Sequence, residues 1–289
     1  SSMWKYVNPG YGELLDEKLG TTKSTVYNPK NGVCIGGQRS YGKINLPNLQ
    51  EVYIKCNVYF KSNYSDQYLQ IYVTKDNFFA GLYKSSSSRL GVRIKDNEYP
   101  NIGEFNTSQL YSVLLHIKAG VKGVVELFVD NILIKAYNTQ IAVRNFDAVK
   151  ITAQADYVSN IIISDQDIRD ESVLVVPLGE PTGTWSGISD GEAKATEADQ
   201  VLTQSLKIDD IKNVVGTDTV TSVSVAAYDI RYDSEKVNYM EASITKDGSN
   251  LTSATKFITN NAITPVTFMK NMPIDNLANT SVSFKAKKV

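Results

Sequence analysis

Apolar and polar positions alternate with a period of two along most of the chain. Val52, Ile54, Cys56, Val58 and Phe60 form one row, with Lys55 and Asn57 in the other. A β-strand points successive side chains to opposite faces, so this spacing predicts a strand with one buried face. The same reading predicts strands at 68–74, 91–94, 112–118, 124–129, 132–136, 148–154 and 159–164. Further on it predicts strands at 200–208, 220–232, 238–246, 255–260, 264–270 and 281–286. Val, Ile, Tyr, Phe and Thr fill them, which suits a pleated surface. Asp130-Asn131 and Asp247-Gly248-Ser249 separate strand runs and predict tight hairpin turns, because Asp, Asn and Gly tolerate positive φ. Asn31-Gly32 and Asn8-Pro9-Gly10 are further turn signals. The serine run within Lys84–Arg89 reads as a loop. Only Glu13–Leu19 and a turn at Leu206–Ile211 look helical.

The alternation breaks at Asp165-Gln166-Asp167-Ile168-Arg169-Asp170-Glu171, and this charged run reads as a connector. The expected organisation is a first β domain over 1–166, a linker at 167–171 and a smaller β domain over 172–289. Many short strands at regular spacing predict antiparallel sandwiches in both, so the expected fold class is all-β.

Composition removes several functions. Of 289 residues, 30 are Lys or Arg and 31 are Asp or Glu, for a net charge of -1, so neither nucleic acid nor a membrane surface is an expected partner. No apolar run approaches the roughly 20 residues that a membrane helix needs. Ser1-Ser2-Met3-Trp4-Lys5 reads as lacking an apolar secretion leader. One histidine, His116, excludes multi-histidine metal sites and leaves one possible base for a catalytic triad. Cys34 and Cys56 lie outside any CxxC pair. Cys56 reads as a small buried hydrophobe, with a Cys34–Cys56 disulfide and a Cys56–His116 dyad as the alternatives.

Glu126 and Asp130 share a strand face and resemble a glycosidase pair at first sight. Four residues of strand separate them by about 13 Å, well over the spacing of about 5–5.5 Å that a retaining enzyme uses. A solvated strand face ending in a turn is the better expectation. Asp165, Asp167 and Asp170, and separately Asp96-Asn97-Glu98 near Asn101, are weak calcium candidates without the glycine and terminal Glu of a calcium loop. No P-loop, dinucleotide fingerprint or nucleophile elbow is present. No cofactor is expected.

Aromatic side chains give the remaining candidate. Tyr64, Tyr68, Phe78, Phe79 and Tyr83 cluster with Asn63, Asp66, Gln67, Asp76 and Asn77, and Arg89, Tyr99 and Asn101 follow. Sugar faces stack on rings and sugar hydroxyls take amides and carboxylates as partners. The same residue types build cores and subunit interfaces. Tyr64, Phe78, Phe79, Tyr83, Arg89, Tyr99 and Asn101 are therefore the expected contacts for a glycan or a partner protein.

Leu110–Lys118, with His116-Ile117-Lys118 at its end, precedes Gly123–Asn131, with Glu126 and Val129-Asp130-Asn131; Phe146–Ile151 and Val158–Asp165 follow. This order resembles the concanavalin-like (laminin-G-like) jelly roll over about 1–166, with Asn131 where that family often has Gly. The run from Ile163 into Asp170–Gly179, with Val223–Asp229 and Ser281–Lys285, looks like phage and prophage virion proteins that join such a jelly roll to a smaller β domain. The resemblance implies a non-enzymatic virion protein, tail- or head-associated and assembled in the host cytoplasm. Its implied partners are itself, as a symmetric oligomer, other virion proteins and, for host attachment, a host-surface glycan. The carboxylate-rich strand of the superfamily's glycosidases is missing, and no calcium loop transfers. The alternative is a glycan-binding module on a bacterial cell surface.

Overall fold

The computed structural model describes residues 3, 5–8, 24–28, 32–36, 40–59, 69–73, 80–86, 89–106, 109–141, 145–153, 157–174, 176–188, 193–210, 219–225, 235–257 and 266–289. The chain is all-β and divides into two compact units, Ser1–Leu174 and Val175–Val289. The first holds β1 (Lys5–Asn8), β2 (Ser24–Asn28), β3 (Gly32–Gly36), β4 (Ser40–Leu49), β5 (Glu51–Tyr59), β6 (Leu69–Val73) and β7 (Ala80–Ser86). It continues with β8 (Arg89–Ile94), β9 (Asn97–Ile102), β10 (Leu110–Lys118), β11 (Gly120–Val129), β12 (Ile132–Ile141), β13 (Phe146–Ala153) and β14 (Tyr157–Ser164). The second holds β15 (Thr182–Gly183), β16 (Val201–Ser205), β17 (Thr219–Val225), β18 (Tyr239–Lys246), β19 (Ser249–Asn250), β20 (Thr255–Phe257), β21 (Val266–Pro273) and β22 (Thr280–Lys287).

In the first unit one large antiparallel sheet runs β12-β11-β10-β5-β14-β3-β2, with β1 added to β14. Two three-stranded sheets, β4-β13-β6 and β7-β8-β9, complete it. The arrangement is the all-β, antiparallel one expected from the sequence. The row Val52, Ile54, Cys56 and Val58 is wholly buried. It meets Val113, Leu115 and Ile117 of β10, Val125 and Leu127 of β11, Leu82 and Val92 of β7 and β8, and Phe146 and Val149 of β13 in one cluster. A fully buried aliphatic side chain stabilises by about 1.5–3 kcal/mol, so these rows set the register of every central strand.

The second unit pairs β15-β16-β22-β18-β19 with β20 on β18, and separately β17 with β21. Ala242, Ile244, Val282 and Phe284 alternate into its core, and Trp185 packs against them.

Both tight turns form as their residues require. Asp130 and Asn131 have φ 48 and 69°, and Asp247 and Gly248 have φ 50 and 76°. Positive φ at both central positions is the hairpin turn whose twist matches the strands. β4 and β9 are strands that the alternation did not indicate. Both carry a proline, Pro47 and Pro100, and both lie at sheet edges, where a missing N–H costs no ladder bond. β12 runs five residues past its expected end at Ala136, and Ser85 and Ser86 of the serine run belong to β7 rather than to a loop. The helical expectation at Glu13–Leu19 lies outside the described residues.

The charged run after β14 is not a solvated tether. It lies as a strap on the outer face of the large sheet. Ile168 is wholly buried against Leu114, Phe128 and Ile162. Lys55 Nζ donates to the carbonyls of Arg169 and Glu171 at 2.5 Å each, and Lys5 Nζ pairs with Glu171 at 2.5 Å. Asn131 Nδ2 donates to Asp170 Oδ1. Burial lowers the Lys55 pKa, against the pull of Asp170, Glu171 and Asp167. One apolar residue among six polar ones anchors the strap, a signal too sparse for periodicity to show.

Candidate functional site

Two sheet edges meet in the first unit. β9 pairs with β8 and β12 pairs with β11, and among the described residues neither has a partner on its other side. Glu98, Tyr99, Pro100 and Ile102 of β9 and Lys135–Thr139 of β12 line an open groove of about 820 Å³ between them. Tyr99 and Tyr137 stand against each other, with ring centroids 4.3 Å apart and planes tilted by 36°. Both rings are half-buried and pack on the main core. Burial first, then the neighbouring phenols of Tyr99 and Tyr83, raises the Tyr137 pKa, so its hydroxyl stays a proton donor. Asn138 lies exposed beside it and Thr139 is half-buried.

The local sequence explains the geometry. Tyr137 stands opposite Val125 and Lys135 opposite Leu127, so both occupy the row that faces the core in β11. At the edge strand that row meets the groove, and aromatic and polar side chains replace aliphatic ones. Gly123 lets the strands approach: a Cβ there would lie 2.5 Å from the Thr139 carbonyl oxygen. On β9, Glu98 is ion-paired with Arg93, whose guanidinium lies 5.5 Å from the Tyr83 ring centroid.

A second polar cluster sits on the outer face of the large sheet. His116 Nδ1 lies 2.7 Å from Glu126 Oε2 and its Nε2 lies 2.7 Å from Glu51 Oε1. Its ring stacks on Tyr53 at 4.1 Å with planes 7° apart. Burial, then the Glu51 carboxylate, pushes Tyr53 up to about 12. Both imidazole nitrogens are occupied by carboxylates, so neither is free to take a proton from a substrate. His116 is itself buried. Cys56 faces the core on the opposite side of the sheet, and burial pushes its thiol up to about 12. A Cys56–His116 dyad is therefore excluded by the pleat. Asp130 caps the hairpin, its Oδ1 accepting from Ser112 N, and takes no part in a carboxylate pair.

The expected contact residues separate. Tyr99 lines the groove. Tyr83 is corrected from a contact to a support, because its ring is buried and fills the space above Gly91. Arg89 is exposed, pairs with Glu104 at 2.7 Å and does not line the groove. Asn101 is placed by its backbone in β9. Tyr64, Phe78 and Phe79 lie outside the described residues. The calcium candidates do not converge: Asp167 chelates Arg169, Asp170 accepts from Asn131, and Glu98 is taken by Arg93. Sequence reasoning missed Tyr137 and Lys135, although a tyrosine and a lysine two apart at the end of an apolar strand would have marked a row leaving the core.

No protein-family model matches the chain, and no curated protein matches it. Solved structures do. An endo-β-1,4-glucuronan lyase from the fungus Trichoderma reesei is 9% identical over 58% of this chain and 97% of its own, with a TM-score of 0.43. The alginate lyase Aly36B is 12% identical over 55% and 96%, with a TM-score of 0.39. A Trypanosoma rangeli sialidase is 11% identical over 50% of this chain and 27% of its own, with a TM-score of 0.40. The virion expectation is corrected at this point: the structures that match are carbohydrate-active proteins where phage proteins were expected, and nothing in the comparisons carries a structural role in a virus particle.

Proposed function

We propose that the first unit is a glycan-binding module and that the groove between β9 and β12 is its binding site. The observation that carries this reading is the Tyr99–Tyr137 pair, standing in an open groove beside Asn138 and Thr139. A tyrosine ring offers a flat apolar face for the C–H side of a hexose and a hydroxyl for its rim. The hydroxyl of Thr139, on the same row as Tyr137, adds a donor and an acceptor. Four residues of extended strand span about 13 Å, room for an oligosaccharide lying along the groove.

The module binds without turning its ligand over. Glu98, the carboxylate of the groove, is held by Arg93. Glu51 and Glu126 are engaged with His116 on the opposite side of the sheet.

Calorimetry against a panel of soluble oligosaccharides tests the reading. Tyr99→Ala and Tyr137→Ala each remove a stack worth about 1 kcal/mol; loss of that contact weakens Kd about five- to tenfold. Thr139→Ala, on the same row as Tyr137, serves where the ring variants fold poorly. Unchanged affinity in all three variants would place the glycan elsewhere, and no affinity for any member of the panel would refute the module.

A further inference from the structure

On the row that buries Val125 and Leu127 in β11, the neighbouring strand β12 places Lys135, Tyr137 and Thr139. A cation on a core-facing row breaks the binary pattern, and such breaks concentrate where a surface serves a ligand. Lys135 is exposed and lines the groove one row position from Tyr137, its Nζ 5.9 Å from that ring's centroid. No ion pair joins it to any described carboxylate. The carboxylate that lines the same groove is already matched, since Arg93 holds Glu98. Among the described residues, the groove thus carries one cation without a counter-charge.

From this we infer that the ligand of the groove is an acidic polysaccharide, its anionic group paired with Lys135 while a sugar ring lies on Tyr137. This rests on the glycan-binding reading above and adds the charge class to it. The anion is a carboxylate of a uronic acid or a sulfate ester. An ammonium meets either as a compact point charge with three donors, in contrast to the planar fork of arginine. The half-buried tyrosines beside it lower the local dielectric and strengthen the pair.

Affinity electrophoresis of the full chain tests this in native gels holding polygalacturonate, dextran sulfate or unmodified dextran. The expected result is retardation by one or both anionic polymers and none of comparable strength by dextran; the polymer that retards identifies carboxylate or sulfate. Lys135→Gln should weaken that binding about tenfold, the size of one lost ion pair of about 1.4 kcal/mol. Lys135→Arg should keep most of it, and added salt should erase the difference between wild type and Lys135→Gln. Lys246→Gln, in the second unit, should leave it unchanged.

Equal retardation by dextran would overturn the acidic ligand and leave the glycan module standing. Retardation by none of the three, with no binding in the oligosaccharide panel, would remove both. Equal losses in Lys135→Gln and Lys246→Gln would reduce the effect to diffuse charge. Full affinity with self-association in Lys135→Gln would make Lys135 a guard against edge-to-edge strand pairing.

Discussion

β5 and β12 belong to the same sheet and obey the same pleat, yet they use it differently. In β5 the inward row is Val52, Ile54, Cys56 and Val58, and all four are wholly buried. In β12 the corresponding row carries Lys135, Tyr137 and Thr139, and becomes fully buried only at Ile141. The difference is position. β5 lies between β10 and β14 with a second layer over its inner face, whereas β12 ends the sheet and looks across a gap to β9. A central row must be apolar, because an unpaired polar group there would cost several kcal/mol. An edge row is released from that demand and can hold side chains that meet a ligand.

The contrast predicts a gradient of effects. Phe146→Ala, in the centre of the core, should cost about 3–5 kcal/mol, enough to lower Tm by many degrees. Leu133→Ala on β12, where half the side chain is exposed, should cost well under about 1 kcal/mol in the same denaturation series. Equal losses at the two positions would break the comparison. Gly123→Ala should fall between them, at about 1–3 kcal/mol, because its new Cβ would strike the Thr139 carbonyl. It should also distort the groove, so sugar affinity read at a temperature where the variant is folded should fall with it.

The Cys56 thiol sharpens the picture from the buried side. Burial raises it from 9.0 to about 12. A group whose folded pKa is raised gives its full stabilisation below the unfolded value, and loses it as pH rises towards the folded one. Wild type should therefore lose more Tm between about pH 8 and pH 10.5 than Cys56→Val, which fills the site without titrating. Parallel melting curves for the two proteins would show that Cys56 does not carry the alkaline slope. Smallest of all should be Arg89→Ala. Its pair with Glu104 is exposed, so both stability and glycan affinity should stay within error of wild type.

Much of this architecture could be read from the chain. The alternation at 52–60, 112–118 and 124–129 marked central strands because a buried face forces every second residue to be apolar. Asp130-Asn131 and Asp247-Gly248 marked hairpins because few residues accept positive φ twice in succession. β4 and β9 escaped notice because edge strands admit proline and need no apolar row on both sides of it. The strap escaped because Ile168 is its one deeply buried side chain, set among polar residues whose backbone carbonyls accept from Lys55 and whose Glu171 pairs with Lys5.

The candidate site was only half legible. Tyr99 stood out as an aromatic near polar residues, but Tyr83 carried the same signature and turned out to lie beneath the surface. Local composition cannot separate a ring that lines a groove from a ring that supports it, since both are aromatic and both sit in strands. By itself the sequence determined the all-β fold class, the buried rows of the central strands and the exclusion of multi-histidine metal sites, all of which follow from period, turn chemistry and residue counts. Tertiary structure decided which sheet edges face each other, and so placed Tyr137 and Lys135 opposite Tyr99 across roughly forty residues of chain. Such a meeting depends on how two sheets end in space, and no periodicity within either strand encodes it.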